Sequence, residues 1–345
     1  MLAARTTFGR LTNGCKGRVW ACSAGTPARY VEPEDDVETA LLELLRCPFC
    51  RSSLVETEDA FACPGCGRGF PRTGDGIPLM LHDELPGASE KLREAAGWLE
   101  KARSEGWYEP DDAVDAALPF VNRDLGWDDP NWRATAYSFQ LLLDRYIGAE
   151  RGLRVLEVGA ARGWASRFWL ERDCEYVATD IVVDPKLGLG RGAFYGEFAR
   201  VQADAEHLPF RDVAFDVTYC VATLHHALDL PRMLREMARV TRPGGLVAGL
   251  NEGTRGVLRS PENPDQAGEK ALGINEHVHT VWAYTLAFAR AGLVVHRLER
   301  SDGLPPLPFG YLLSRIPAVG MTLGTFVHLS AGRYSGVSIY ARRRR

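Results

Sequence analysis

No apolar run in this sequence is long and clean enough to cross a bilayer as a helix. No signal-peptide h-region opens it either. Basic residues are not massed into a patch outside the chain ends, and the formal net charge is -4, so the charge balance calls for no polyanionic partner. Internal repeats are absent, and no low-complexity tract occurs beyond the terminal ARRRR. No acid appears before Glu32, whereas Arg5, Arg10, Lys16, Arg18 and Arg29 all precede it. Residues 1–35 therefore read as a disordered basic extension, with an organellar transit peptide as the competing reading. Cys15 and Cys22 in that segment have no evident partners. Cysteines are not spread as in a small secreted disulfide scaffold. Four of the eight fall in two tight C-x-x-C pairs, which predicts a reducing, cytoplasmic compartment.

What is present divides the 345 residues into zones, in line with a prior of about one domain per 150 residues. Apolar residues make up 46% of the chain, enough for a substantial core. Residues 36–46 predict a short helix leading into the first cysteine pair. Residues 47–83 are rich in Cys, Gly and Pro. Residues 84–150 hold 14 acids against 7 Lys and Arg and read as a helical connector that can cover an active site. Ser89 is placed as the cap of a helix over 90–104 whose apolar face is Leu92, Ala96 and Leu99, and Asn131 as the cap of another ending near Tyr146. From 151 to the end, LRVLEV, YVATDI, FDVTYCV and LVAGLN alternate with helical segments, which predicts an α/β domain with a largely parallel sheet.

Cys47-Pro-Phe-Cys50 and Cys63-Pro-Gly-Cys66 lie close together in the sequence. Each C-x-x-C can form a knuckle that turns two thiolates toward one ion, and two knuckles complete the tetrahedron zinc accepts. With no fifth ligand evident, a structural Zn2+ is expected over 36–83; redox dithiols are the weaker alternative. Both cysteine pairs together with the following GFPRTGDGIPLML, over residues 46–83, resemble the zinc-ribbon family that includes the small activator subunit of tRNA and translation-factor methyltransferases. The resemblance implies that the ribbon supports a methyltransferase and does no chemistry itself.

VLEVGAARGW at 155–164 places a glycine-rich turn between a strand and a helix, where backbone can approach a ligand closely and N–H groups are free. Asp180 ends the next strand, at a distance along the chain from Glu157 that lets its carboxylate accept ribose hydroxyls. That spacing alone also fits a nicotinamide site. Glu157 directly before the glycines, QADAEHLPF at 202–210 and FDVTYCVATLHHALDLPRMLREMARVTRPGGLV at 215–247 together resemble the successive motifs of class I S-adenosylmethionine-dependent methyltransferases, in the branch containing ubiquinone and menaquinone enzymes. The resemblance implies a Rossmann-like fold with a seven-stranded, mostly parallel sheet. It implies that S-adenosyl-L-methionine is held by Glu157, Gly159, Ala161, Gly163 and Asp180, with Asp204 and Ala205 at the adenine. Ala161 stands where the family has glycine, which is expected to tighten the turn and leaves a degenerate, non-catalytic domain as an alternative.

His225 and His226 follow strand four at the ligand-binding edge of the sheet and are candidates for a base, with packing as the plain alternative. Glu252, Glu276, His277 and His279 cluster after strand five around a polar segment that reads as a mobile loop, and are candidate pocket residues. For His277 and His279, capping a helix at 280–292 is an equal alternative. The apolar insertion at about 304–330 reads as a lid or core hairpin; peripheral membrane contact or a greasy substrate is the competing reading. A small-molecule acceptor fits better than RNA, because the sequence lacks an (Asn/Asp)-Pro-Pro-(Phe/Tyr) motif; a scaffold role is the third reading.

Overall fold

The computed structural model describes residues 37–303, 319–331 and 334–345. The basic extension, Cys15, Cys22 and the first part of the apolar insertion lie outside the described residues.

Helix α1 (Val37–Leu44) leads into the cysteine-rich region as the sequence predicted. There β1 (Val55–Glu56), β2 (Ala60–Ala62) and β3 (Gly69–Pro71) form an antiparallel sheet in which Phe61 pairs with Phe70. The connector follows as α2 (Ala88–Glu105), α3 (Asp112–Ala117), α4 (Val121–Asp124) and α5 (Pro130–Leu141). A turn of π-helix carries α5 on to Ile147.

Two details of the connector correct the sequence reading. Gly87, not Ser89, precedes α2 as its cap residue, and Asp129, not Asn131, caps α5 by accepting the Asn131 and Trp132 N–H groups. More consequentially, α2 turns Lys91, Glu94 and Gly97 inward and leaves Leu92 exposed. Apolar periodicity does not mark the inner face of this helix, because the surface it meets supplies partners for charge.

The main sheet comprises β4 (Arg154–Val158), β5 (Glu175–Asp180), β6 (Ala199–Gln202), β7 (Phe215–Val221), β8 (Thr241–Arg255), β9 (His279–Thr280), β10 (Leu293–Arg300) and β11 (Ser335–Arg343). Its order is β10-β11-β8-β7-β4-β5-β6. Strand β11 runs antiparallel to both neighbours, and the other inner pairings are parallel. These are the seven strands expected; the two-residue β9 adds an eighth beside the end of β8. The central strand β4 is buried on both faces, so it reads as an unbroken run with little alternation. Strand β8 extends to Arg255, because β11 pairs with it as far as Thr254. Part of the segment expected to be loop is therefore strand. Helices α6 (Ser166–Leu170), α7 (Leu230–Val240), α8 (Ala267–Ala271) and α9 (Val281–Arg290) complete the described α/β region. Of the apolar insertion, Val319–Ala331 is a helix with Leu329 buried and Phe326 edge-on to Trp282.

The ribbon shares the sheet's core. Leu79 pairs in parallel with Gln202 of β6, and Leu45 bridges to Phe210. Leu41, Leu45, Phe61 and Phe70 join Leu156, Val201 and Phe210 in one buried cluster. A module this small cannot hide its apolar side chains alone, and here the sheet supplies the missing surface.

Candidate active site

Strands β5 and β7 flank β4 on opposite sides, so the strand order reverses there. The carboxyl ends of strands at such a point form the usual ligand crevice of an open α/β sheet. A cavity of about 290 Å³ lies there. One part of its wall comes from the sheet edge: Gly159 and Ala161 after β4, Asp180 at the end of β5, Asp204 and Ala205 after β6, and Thr223 and His226 after β7. The other part comes from the connector, as Lys91, Glu94, Trp98 and Trp107.

The turn after β4 holds Gly159, Ala161 and Gly163 at φ values of 72, 49 and 77°, all in the left-handed region. A Cβ on Gly159 would lie 2.4 Å from Oγ1 of Thr223, so no side chain fits there. Ala161 takes a conformation that glycine adopts at less cost. Its side chain faces solvent, which removes the steric part of the problem. Its N–H donates to Asp180 Oδ2 at 2.7 Å, and Val182 N–H donates to Asp180 Oδ1 at 2.8 Å. Burial raises the Asp180 pKa, while these N–H groups act in the opposite direction. Asp204 accepts the Glu206 N–H at 3.0 Å and lies 2.6 Å from Nδ1 of the buried His207. Both aspartates are thus oriented by the protein on the cavity wall.

Glu157 behaves differently from its expectation. It is 1% exposed and does not line the cavity. Its carboxylate accepts the hydroxyls of Tyr176 and Tyr219, the latter at 2.6 Å. Burial pushes its pKa up to about 7 against the pull of those two hydrogen bonds. Gly163 shapes the turn without lining the cavity. Arg162 between them reaches away to Asp115 of α3 at 2.7 Å, and Arg191 meets the same carboxylate at 2.8 Å. Asp115 is fully buried. The turn's unusual arginine is therefore an anchor to the connector.

Behind His226 the structure gathers His225, Glu252 and Glu276. Glu252 is fully buried and accepts the Thr223 and Leu224 N–H groups, and its other oxygen lies 2.9 Å from His225 Nδ1. His226 Nδ1 lies 2.5 Å from Asn275 O and 3.1 Å from Glu94. His277 and His279 line a second cavity of about 360 Å³ with Leu228, Leu286 and Arg290, while the His277 N–H donates to the His225 carbonyl at 3.0 Å. Neither caps α9; Thr280 does, through its hydroxyl on the Ala283 N–H. The sequence reading missed Lys91, Glu94, Trp98 and Trp107. The signal available was the spacing of 91, 94 and 98, which puts two charges and an aromatic ring on one face of a helix.

The four cysteines converge as the spacing implied. Cys47 Sγ lies 3.6 Å from Cys66 Sγ and Cys50 Sγ 3.4 Å from Cys63 Sγ, with all four sulfurs within 4.8 Å of one another. Sulfurs bound at about 2.3 Å around a tetrahedral zinc stand near 3.8 Å apart, so the set fits that ion.

Comparison with known proteins agrees with this geometry. Residues 156–249 match the methyltransferase domain family, and residues 38–71 match the Trm112p-like protein family. Malonyl-[acyl-carrier protein] O-methyltransferase of Pectobacterium atrosepticum is 33% identical over 29% of this chain and 39% of its own length. The ubiquinone/menaquinone biosynthesis C-methyltransferase UbiE of Idiomarina loihiensis is 37% identical over 29% of this chain and 43% of its own length. Methyltransferase GfsG of Streptomyces halstedii is 34% identical over 50% and 63%. The chain thus spans about two fifths of the length of the first two relatives. Geranyl diphosphate C-methyltransferase from Streptomyces coelicolor superposes with a TM-score of 0.51 at 17% identity, over 76% of this chain and 99% of that one. The fold is that of class I methyltransferases, and the chain is similar to the methyltransferase domain family over residues 156–249 and to the Trm112p-like family over 38–71.

Proposed function

We propose that this protein transfers a methyl group from S-adenosylmethionine to a small-molecule acceptor. The observation that carries the reading is one cavity bounded by two chemically different walls. On the sheet side, this reading gives Asp180 the ribose hydroxyls, Asp204 and the Ala205 N–H the adenine, and the Gly159–Ala161 turn the methionine end. On the connector side, Lys91, Glu94, Trp98 and His226 surround the remaining space. The cofactor, when bound, supplies a methyl group already activated on a sulfonium.

The chain's own residues then have two tasks. The first is orientation: a nucleophile held in line needs walls that do not move, because proximity supplies much of the rate. Trp98 packs edge-on to His226 at 5.7 Å between ring centres, and Asn275 donates to Glu94 at 2.8 Å, so the acceptor wall is braced from two elements. The second is exclusion of water, which α2 performs by lying across the sheet edge. The ribbon takes no part at the cavity wall. We assign it a structural zinc held by Cys47, Cys50, Cys63 and Cys66, whose role is to fasten α1 and residues 77–81 to the sheet.

A small molecule suits a cavity of this size, and two of the relatives described above carry small-molecule or carrier-bound acceptors in their names. The test is calorimetric binding of S-adenosylhomocysteine, followed by methyl transfer to a panel of enolic, phenolic and carboxylate acceptors. A parallel assay with RNA separates the readings: strong RNA binding that falls steeply with salt, and methylation of RNA alone, would overturn the small-molecule assignment.

A further inference from the structure

Carboxylates and imidazoles are packed together behind the acceptor wall. Glu94, Glu206, Glu252 and Glu276 are all buried. Lys91 lies among them, 3.8 Å from Glu94 and 3.6 Å from Glu206, and donates to the His226 carbonyl at 2.8 Å. Glu252 and Glu276 face the two histidines instead. Buried carboxylates need cations or metal ions as partners.

The histidine geometry narrows the choice. Glu252 lies against His225 Nδ1 at 2.9 Å and fixes the proton on that nitrogen. Nε2 then faces a carboxylate oxygen of Glu276 across 3.7 Å, an oxygen that also accepts from the Gln266 amide. This separation is too long for a hydrogen bond. On the other side, His226 Nδ1 has three oxygens around it: Asn275 O at 2.5 Å, Glu94 at 3.1 Å and Glu276 at 3.9 Å. One proton cannot serve all three. A metal ion with bonds near 2.1 Å separates its ligand atoms by about 3.0–3.6 Å. The ligand atoms of His225, His226 and Glu276 lie within 4.8 Å of one another, so small side-chain rotations close them on one ion.

We propose that His225, His226 and Glu276 bind one divalent transition-metal ion at the edge of the acceptor cavity, with Glu252 orienting His225 behind it. A carboxylate beyond a ligating imidazole is the usual support for such a ligand. Two imidazoles and a carboxylate suit manganese, iron(II), cobalt or zinc, whereas the four thiolates of the ribbon select the softer zinc. Because His226 lines the cavity, an open coordination position would face the acceptor and favour molecules that present an oxygen there. The site stands on its own geometry and does not depend on the methyl-transfer reading.

Manganese is the discriminating probe, since the thiolate set does not compete for it. The full chain, brought to one zinc per chain so that only the thiolates are filled, is titrated with Mn2+ and the free ion followed by electron paramagnetic resonance. One equivalent bound per chain is expected, weakened at least tenfold in Glu276→Gln and in His225→Gln. Thermal melting and S-adenosylhomocysteine binding are measured on the same variants. Both stay near wild type if the metal site is separate from the cofactor site, which also shows that the variants fold. No Mn2+ bound by the wild type at millimolar concentration, or binding unchanged in both variants, overturns the site. Failure of the wild type to bind S-adenosylhomocysteine would instead sink the methyltransferase reading and leave the metal result intact.

Discussion

The N–H of Ala161 donates to the Asp180 carboxylate at 2.7 Å, joining the turn after β4 to the end of β5. Those two places, far apart along the chain, must face one cavity if a single adenosyl-sulfonium molecule is to touch both. They do, and the bond orients Asp180 before any ligand arrives. The oxygens of Asp180 keep lone pairs beyond the two backbone donors, since an ionised carboxylate can accept about four hydrogen bonds.

Ala161 holds φ at 49° where glycine would be unstrained. Ala161→Gly is expected to stabilise the fold by about 0.5–1 kcal/mol, the strain relieved less the added entropy of the unfolded chain. Urea unfolding checks this, with S-adenosylhomocysteine affinity expected to stay within about threefold, since roughly 0.6 kcal/mol is all that such a shift represents.

Glu157 has a folded-state pKa raised to about 7, from an ordinary value of 4.5. A raised acid pKa means that the folded state holds its proton longer than the unfolded chain. Stability is therefore highest below the unfolded pKa and is lost as pH rises through the interval, levelling off above the folded pKa. The size of that loss is at most about 3 kcal/mol. Glu157→Gln removes this dependence. Guanidinium unfolding of the ligand-free protein between about pH 5.5 and 8 is expected to show a shallower decline for the variant than for the wild type.

Asp115 is fully buried and holds both Arg162 and Arg191. Asp115→Asn leaves two guanidiniums facing a neutral amide and is expected to cost about 3 kcal/mol, because breaking a buried pair strands its charge. In a double-mutant cycle with Arg162→Ala the two losses should not add. Additive losses would show that the clasp between α3 and the turn after β4 is energetically idle.

Much of the fold was legible in the sequence, for a physical reason. Buried parallel strands such as β4 and β7 must be apolar along most of their length, and position 159 in the turn tolerates no side chain, so both leave marks in composition. The cysteine pairs are legible because two C-x-x-C knuckles are the spacing that brings four thiolates together. The acceptor wall was not. Helix α2 contributes Lys91 and Glu94 through a buried polar face, and nothing local says that Asn275 and His226 wait across the gap to receive them. Glu157 shows the converse: it occupies a motif position, yet its partners Tyr176 and Tyr219 come from neighbouring strands and draw it into the core. Pairings that depend on register across the sheet have no signature along the chain.

The ribbon offers another check. Cys50→Ser removes one thiolate from a set whose four sulfurs lie within 4.8 Å. Zinc content should fall from one ion toward zero, and the melting temperature by about 5 °C or more, because a small metal module draws its folding energy from its ion. Since Leu41, Phe61 and Phe70 belong to the same buried cluster as the sheet, the loss should appear in the single main transition. A separate low-temperature step would show that the ribbon folds independently.

The central claim is that the cavity at Asp180 holds S-adenosylmethionine, and titration calorimetry with S-adenosylhomocysteine addresses it most directly. Wild type is expected to bind one equivalent with a Kd in the micromolar range, about -8 kcal/mol. Asp180→Ala should lose at least tenfold while keeping one zinc per chain and its melting temperature. Binding to the variant as tight as to the wild type, or no binding to either, would contradict the account.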